Sequence, residues 1–77
     1  MNQDIKLLDV VALTTDIPSH DLSRGQVGTV VEILDSGVFE VDFCDLNGVT
    51  YASLALKADQ LMVLHYQPLQ LTNSSVE

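Results

Sequence analysis

The stretch that decides the fold is Val38-Phe39-Glu40-Val41-Asp42-Phe43-Cys44, followed by Asp45-Leu46-Asn47-Gly48. Phe39, Val41 and Phe43 alternate with Glu40 and Asp42. Successive side chains of a strand point to opposite faces, so this period of two predicts a half-buried strand with an apolar inner face. Asn47-Gly48 is the strongest hairpin signal in the chain, because Asn-Gly fits the backbone of a type I′ turn. Val49 to Leu56 then reads as the return strand.

Upstream, Arg24 to Leu34 is dense in β-branched residues and reads as a strand. Asp35-Ser36-Gly37 is the turn that joins it to the deciding strand: Gly37 takes a positive φ readily, and Asp35 can bond the backbone ahead of it. Val30 and Ile33 lie three apart, which strict alternation does not place on one face, so a bulge or sharp bend is expected between them. Val10 to Thr14 is a shorter β-rich run. Between these two strands lies a loop of turn formers with Asp16, Pro18, Ser19, His20 and Asp21. Downstream, Lys57 to Gln60 is long enough for one turn of 3₁₀ helix, and Leu61 to Leu64 reads as a last strand.

Residues 51–64 also contain good helix formers, and Leu54, Ala58, Leu61 and Met62 would share a helical stripe. The Asn-Gly hairpin immediately before them favours strands. Five short strands, one long loop, tight hairpins and a one-turn helix describe an all-β domain, a small five-stranded SH3-like barrel. Closure is expected because small all-β domains remove exposed edges by curling shut. The expected boundaries are a polar lead at 1–6, a single domain at 7–66 and a polar, flexible tail at 67–77. Alternation of Leu69 and Leu71 leaves room for a short extra strand in the tail.

Composition narrows the function. The chain has 77 residues, 47% of them apolar, which is enough for one core and too few for two. Eleven acids against three Lys and Arg give a formal net charge of −8. Phosphate binding is mostly Lys and Arg displacing counterions, so direct nucleic-acid binding is disfavoured, as is a polybasic membrane-surface role. One cysteine, Cys44, excludes an internal disulfide and a zinc site made of cysteines. No apolar run approaches the ~20 residues that span a bilayer, and Met1-Asn2-Gln3-Asp4 lacks the segments of a signal peptide. A cytoplasmic domain is expected.

Two resemblances follow from the residues. Leu22-Ser23-Arg24-Gly25-Gln26-Val27-Gly28-Thr29-Val30-Val31-Glu32-Ile33 resembles the KOW-type start of a small barrel. There Gly25 would allow the turn into the strand, and Gly28 a bend with close backbone approach. More widely, LLDVVALTTDIP, LSRGQVGTVVEIL and FEVDFCDLNGVTYASLALKADQLMVL are similar to a bacterial family of small proteins, the domain-of-unknown-function 4926 family. The resemblance runs from Leu7 to Leu64. It implies an SH3-like barrel and carries no activity, substrate or catalytic residue. Relatives encoded beside toxins imply an antitoxin or immunity role. The RNA-binding function of KOW proteins is not implied, because acids stand here where those proteins carry Lys and Arg.

Candidate chemistry is sparse. Cys44 with His20 or His65 would be a nucleophile and base, but nucleophilic catalysis also needs an orienting group and an oxyanion site. Asp42, Cys44 and Asp45 with a histidine have no recognisable metal-ligand spacing. Gly25 and Gly28 are not a dinucleotide fingerprint, since a strand follows where a helix is required. No enzyme, cofactor or metal is expected. The glycines that the fold requires at turns are Gly25, Gly28, Gly37 and Gly48.

The remaining candidates are for partner binding. Asp16, His20 and Asp21 lie in the long loop, which in SH3-like barrels lines a groove; the plainer reading makes them turn formers beside Pro18. Tyr51 and Tyr66 are too few aromatics for a proline-peptide groove, and Tyr51 reads as a barrel residue with its hydroxyl at the rim. Glu32, Glu40 and Asp42 form an outward acidic face, serving solubility or docking a basic protein. Val38, Leu46 and Leu54 would edge that face with apolar surface. A non-catalytic module for a basic protein partner is therefore the first expectation. The alternative is a structural protein that self-associates into a homo-oligomer through an open strand edge or apolar patch.

Overall fold

The computed structural model describes residues 4–68. The expected tail at 67–77, including Leu69 and Leu71, lies outside the described residues from 69 onward.

Five strands form: β1 (Val10–Leu13), β2 (Val27–Asp35), β3 (Val38–Cys44), β4 (Thr50–Lys57) and β5 (Leu61–Val63). They make one antiparallel sheet in the order β4-β3-β2-β1-β5. Two single turns of 3₁₀ helix, Pro18–His20 and Ala58–Gln60, complete the regular structure of the described residues. No helix among the described residues is long and apolar enough to cross a membrane.

β3 behaves as its alternation dictates. Phe39, Val41 and Phe43 are buried, while Glu40 and Asp42 are half-buried on the other face. They pair with Leu56, Leu54 and Ala52 of β4, so three consecutive rows of apolar side chains face the core. Val11, Leu13, Val30, Leu22, Leu56 and Leu61 complete it. Each such side chain contributes about 1.5–3 kcal/mol on burial. Ile5 also joins this core, although it stands in the stretch read from sequence as a polar lead.

The ladder between β2 and β3 shifts register between Val30 and Glu32 and again between Ile33 and Asp35. The first shift puts Val30 opposite Val41 and Ile33 opposite Phe39, on one face as expected. A bulge of this kind bends its strand and adds to the local right-handed twist.

Closure was expected and is corrected: the sheet is open. The Ala58–Gln60 turn carries the chain from β4 straight to β1, where β5 pairs over only three residues. Thr14 fixes that crossing, its amide and hydroxyl donating to the carbonyls of Gln60 and Asp59, both at 2.9 Å. Among the described residues, β4 and β5 thus stand at the two ends of the strand order, and both contribute to the core through Leu56 and Leu61.

The β3–β4 turn departs from the type I′ expectation. Gly48 has φ of 79°, but Asn47 is not in the left-handed region that type I′ requires. Asp45 is the cause. Its Oδ1 accepts from the amides of Asn47 at 2.8 Å and Val49 at 3.0 Å, while Gly48 N–H closes back on the Asp45 carbonyl at 3.0 Å. The carboxylate favours a type I turn followed by one left-handed glycine.

Gly28 is required for a different reason. A Cβ built there would lie 2.7 Å from Val41 Cγ1 and 2.8 Å from the Asp42 carbonyl oxygen. β2 therefore approaches β3 more closely than any side chain permits. Gly25 and Gly37 take positive φ in their turns, as expected.

Candidate functional site

Antiparallel partners share a face, so the register assigns the outer surface row by row. Glu32 of β2, Glu40 of β3 and Ala55 of β4 form one row. Thr29, Asp42 and Ser53 form the next. Glu32, Glu40 and Asp42 are thereby brought together on one side of the sheet: alternation places Glu40 and Asp42 there, and the register shift after Val30 turns Glu32 to the same side.

Glu32 stands directly opposite Glu40, an arrangement that opposes like charges and destabilises a strand pair. Ser53 sits beside them. Its hydroxyl lies 2.8 Å from Glu40 Oε2 and 2.5 Å from Asp42 Oδ1. A serine hydroxyl has a single hydrogen, so it donates to only one of these carboxylates at a time. The row is rich in acceptors and poor in donors, and chemically it suits a cation carrying several N–H groups. Of the cations of the described residues, Lys6 stands before β1 and Arg24 in the long loop, while Lys57, opposite Val38 at the end of β4, borders the face one row beyond Glu40 and Ala55.

The apolar rim is not the one expected. Val38 shares the outer face, but Leu54 lies on the core face opposite Val41 and Leu46 projects from the β3–β4 turn. Instead, Met62 and Val27 flank Ala12 on the outer side of β5, β1 and β2, and both are about half exposed. Their parity, opposite to that of buried Leu61 and Gly28, was the signal that sequence reading overlooked.

Asp16, His20 and Asp21 are placed apart from this face, in the β1–β2 loop. Asp16 Oδ1 accepts the Arg24 amide at 2.8 Å, and the His20 ring meets the Ser19 hydroxyl at 3.0 Å. Asp21 takes the left-handed conformation that ends the first 3₁₀ turn. Ile17 and Leu22 close the loop with a bridge of two backbone bonds, and Leu22 is buried beneath it.

Tyr51 is displaced by the irregularity that pairs Phe43 with Ala52 but Cys44 with Thr50. Its ring centroid lies 6.5 Å from that of Phe43, and its hydroxyl accepts from Gln26 Nε2 at 2.9 Å. Cys44 is exposed, with Sγ 3.3 Å from Thr50 Oγ1. Among the described residues no three His, Cys, Asp or Glu side chains gather into a group that could hold a metal ion.

A shallow groove of about 420 Å³ runs between Leu8–Val10 and Leu64–Pro68. Leu8 is unusual there: it holds φ of 71° and is largely exposed, as is Tyr66.

A family model described as a domain of unknown function (DUF4926) matches residues 7–63. No match was found among curated proteins or among solved structures.

Proposed function

The chain belongs to the DUF4926 family, described as a domain of unknown function, and from its own surface we propose that it is a non-catalytic binding module whose acidic sheet face docks a basic protein. The observation that carries this reading is Glu32 opposite Glu40, with Asp42 in the adjacent row and one serine hydrogen between Glu40 and Asp42. Such a face costs stability in the free protein. A partner's Lys or Arg side chains would relieve it and supply the missing donors. Charge complementarity of this kind accelerates encounter and excludes like-charged competitors. A nuclease or another protein whose cationic surface serves phosphate fits the same chemistry. Asp16, His20 and Asp21 belong to this reading as a second contact region on the loop.

We read the frame as SH3-like in open form. The position of β1 between β2 and β5, and the one-turn helix leading into β5, support that assignment.

Capture from the native cell lysate at low salt, followed by a high-salt wash, tests the function. One basic protein retained and then released is the expected result, since exposed charge pairs are screened by salt. Binding that survives the wash overturns the electrostatic reading.

Self-association is the second reading, favoured by exposed Leu8 and Tyr66 lining the groove and by exposed Leu7 next to Leu8 in the chain. A concentration-dependent mass in solution supports it, and a constant monomer mass removes it.

A further inference from the structure

We infer that the open edge of β4 receives an extended basic segment of the partner as an added strand, an inference that rests on the docking reading above. Among the described residues, β3 is the only strand paired with β4. An antiparallel edge strand presents outward-pointing backbone N–H and C=O groups at alternate residues, a template for another strand. Protective devices occur at the two ends of β4: the irregularity at Tyr51 and the charge of Lys57. Between them, Ala52-Ser53-Leu54-Ala55-Leu56 contains neither charge nor proline.

The acidic rows specify the occupant. Each row ends on β4 at a small side chain, Ala55 beside Glu40 and Ser53 beside Asp42. A strand added to β4 would lie two strand spacings from β3, roughly 10 Å. Lysine or arginine stems at alternate positions of that strand would lie across Ala55 and Ser53 and bring their charged ends to Glu40 and Asp42, while backbone bonds to β4 hold the register. A second copy of this chain is the poorer occupant. With a net charge of −8, pairing β4 with itself would bring two acidic faces together. β5, at the other end of the strand order of the described residues, is only three residues long.

The test uses the full chain and synthetic octapeptides matched to the eight residues of β4. The reference peptide alternates lysine with threonine. Two derivatives carry N-methyl groups on the backbone amides of either the odd or the even residues. A strand donates through one set only, so one derivative should lose binding by about tenfold or more and the other should keep it. Hydrogen exchange of β4 amides should slow in the complex. Glu40→Gln with Asp42→Asn should weaken the reference peptide while leaving the fold intact by circular dichroism. Equal binding of both methylated peptides, still weakened by the charge substitutions, would overturn strand addition and leave the docking face standing. Binding indifferent to the charge substitutions would overturn both. A free protein that is already dimeric, with protected β4 amides, would give the edge to a second copy and overturn the proposal.

Discussion

Glu32 and Glu40 stand directly opposite each other on β2 and β3, two acids sharing one row of the sheet's outer face. Cross-strand pairs of like charge are unfavourable by a few tenths to about 1 kcal/mol. Glu32→Gln should therefore raise the urea midpoint of unfolding at low ionic strength. The gain should shrink as salt rises, since the repulsion is screened over roughly 8–10 Å near physiological ionic strength. The same substitution should weaken association with a basic partner. Stability gained together with binding lost would mark the pair as kept for recognition, whereas an unchanged midpoint would show that the carboxylates do not repel.

Gly28→Ala tests the close approach of β2 to β3. One of the atoms a methyl would meet is the Asp42 backbone oxygen, which moves only with β3 itself. Overpacking of this kind costs typically 1–3 kcal/mol, read as a lowered urea midpoint with unchanged slope. A midpoint equal to that of the wild type would mean that the two strands separate freely here.

Tyr51→Phe removes the acceptor for Gln26 and keeps the ring beside Phe43. The bond is partly exposed, so the loss should fall near the lower end of the ~0.5–1.5 kcal/mol range for a hydrogen bond. Hydrogen exchange should quicken first at the start of β4, because this side-chain bond ties that end of β4 to the β1–β2 loop. Uniform exchange across β4 would remove the tie from the account.

Ile5→Ala tests whether the core extends ahead of residue 7. Truncating a buried isoleucine costs about 2–5 kcal/mol, and Ile5 at the margin of the core should fall near the lower value. No loss of stability would show that the stretch before Leu7 is dispensable for the fold.

The β3 alternation, the two hairpins and the bulge after Val30 were legible in the sequence, because each is a local consequence of side-chain period or turn chemistry. The same period placed Glu40 and Asp42 on one face, and the bulge after Val30 is what brings Glu32 to it. Closure was not legible. It depends on whether β5 reaches β4, a long-range matter settled by a three-residue strand and by the Thr14 bonds that hold the crossing to β1. The turn type was missed because the Asp45 carboxylate outweighs the Asn-Gly preference. Ile5 was missed because one apolar residue among polar neighbours has no period. The role of Leu54 was misread because the face of β4 depends on register with β3, which the composition of β4 alone does not fix.

The central claim is that the outer acidic face, rather than net charge alone, recognises the partner. The direct test compares two variants of equal net charge for the basic protein that low-salt capture retains. One neutralises the face with Glu32→Gln, Glu40→Gln and Asp42→Asn. The other neutralises Asp4, Asp9 and Asp59 to asparagine, residues before β1 and in the Ala58–Gln60 turn that belong to neither the face nor the loop region. The account predicts that the face variant loses the partner and the other variant keeps it, with both folded. Equal retention by the two variants would contradict it.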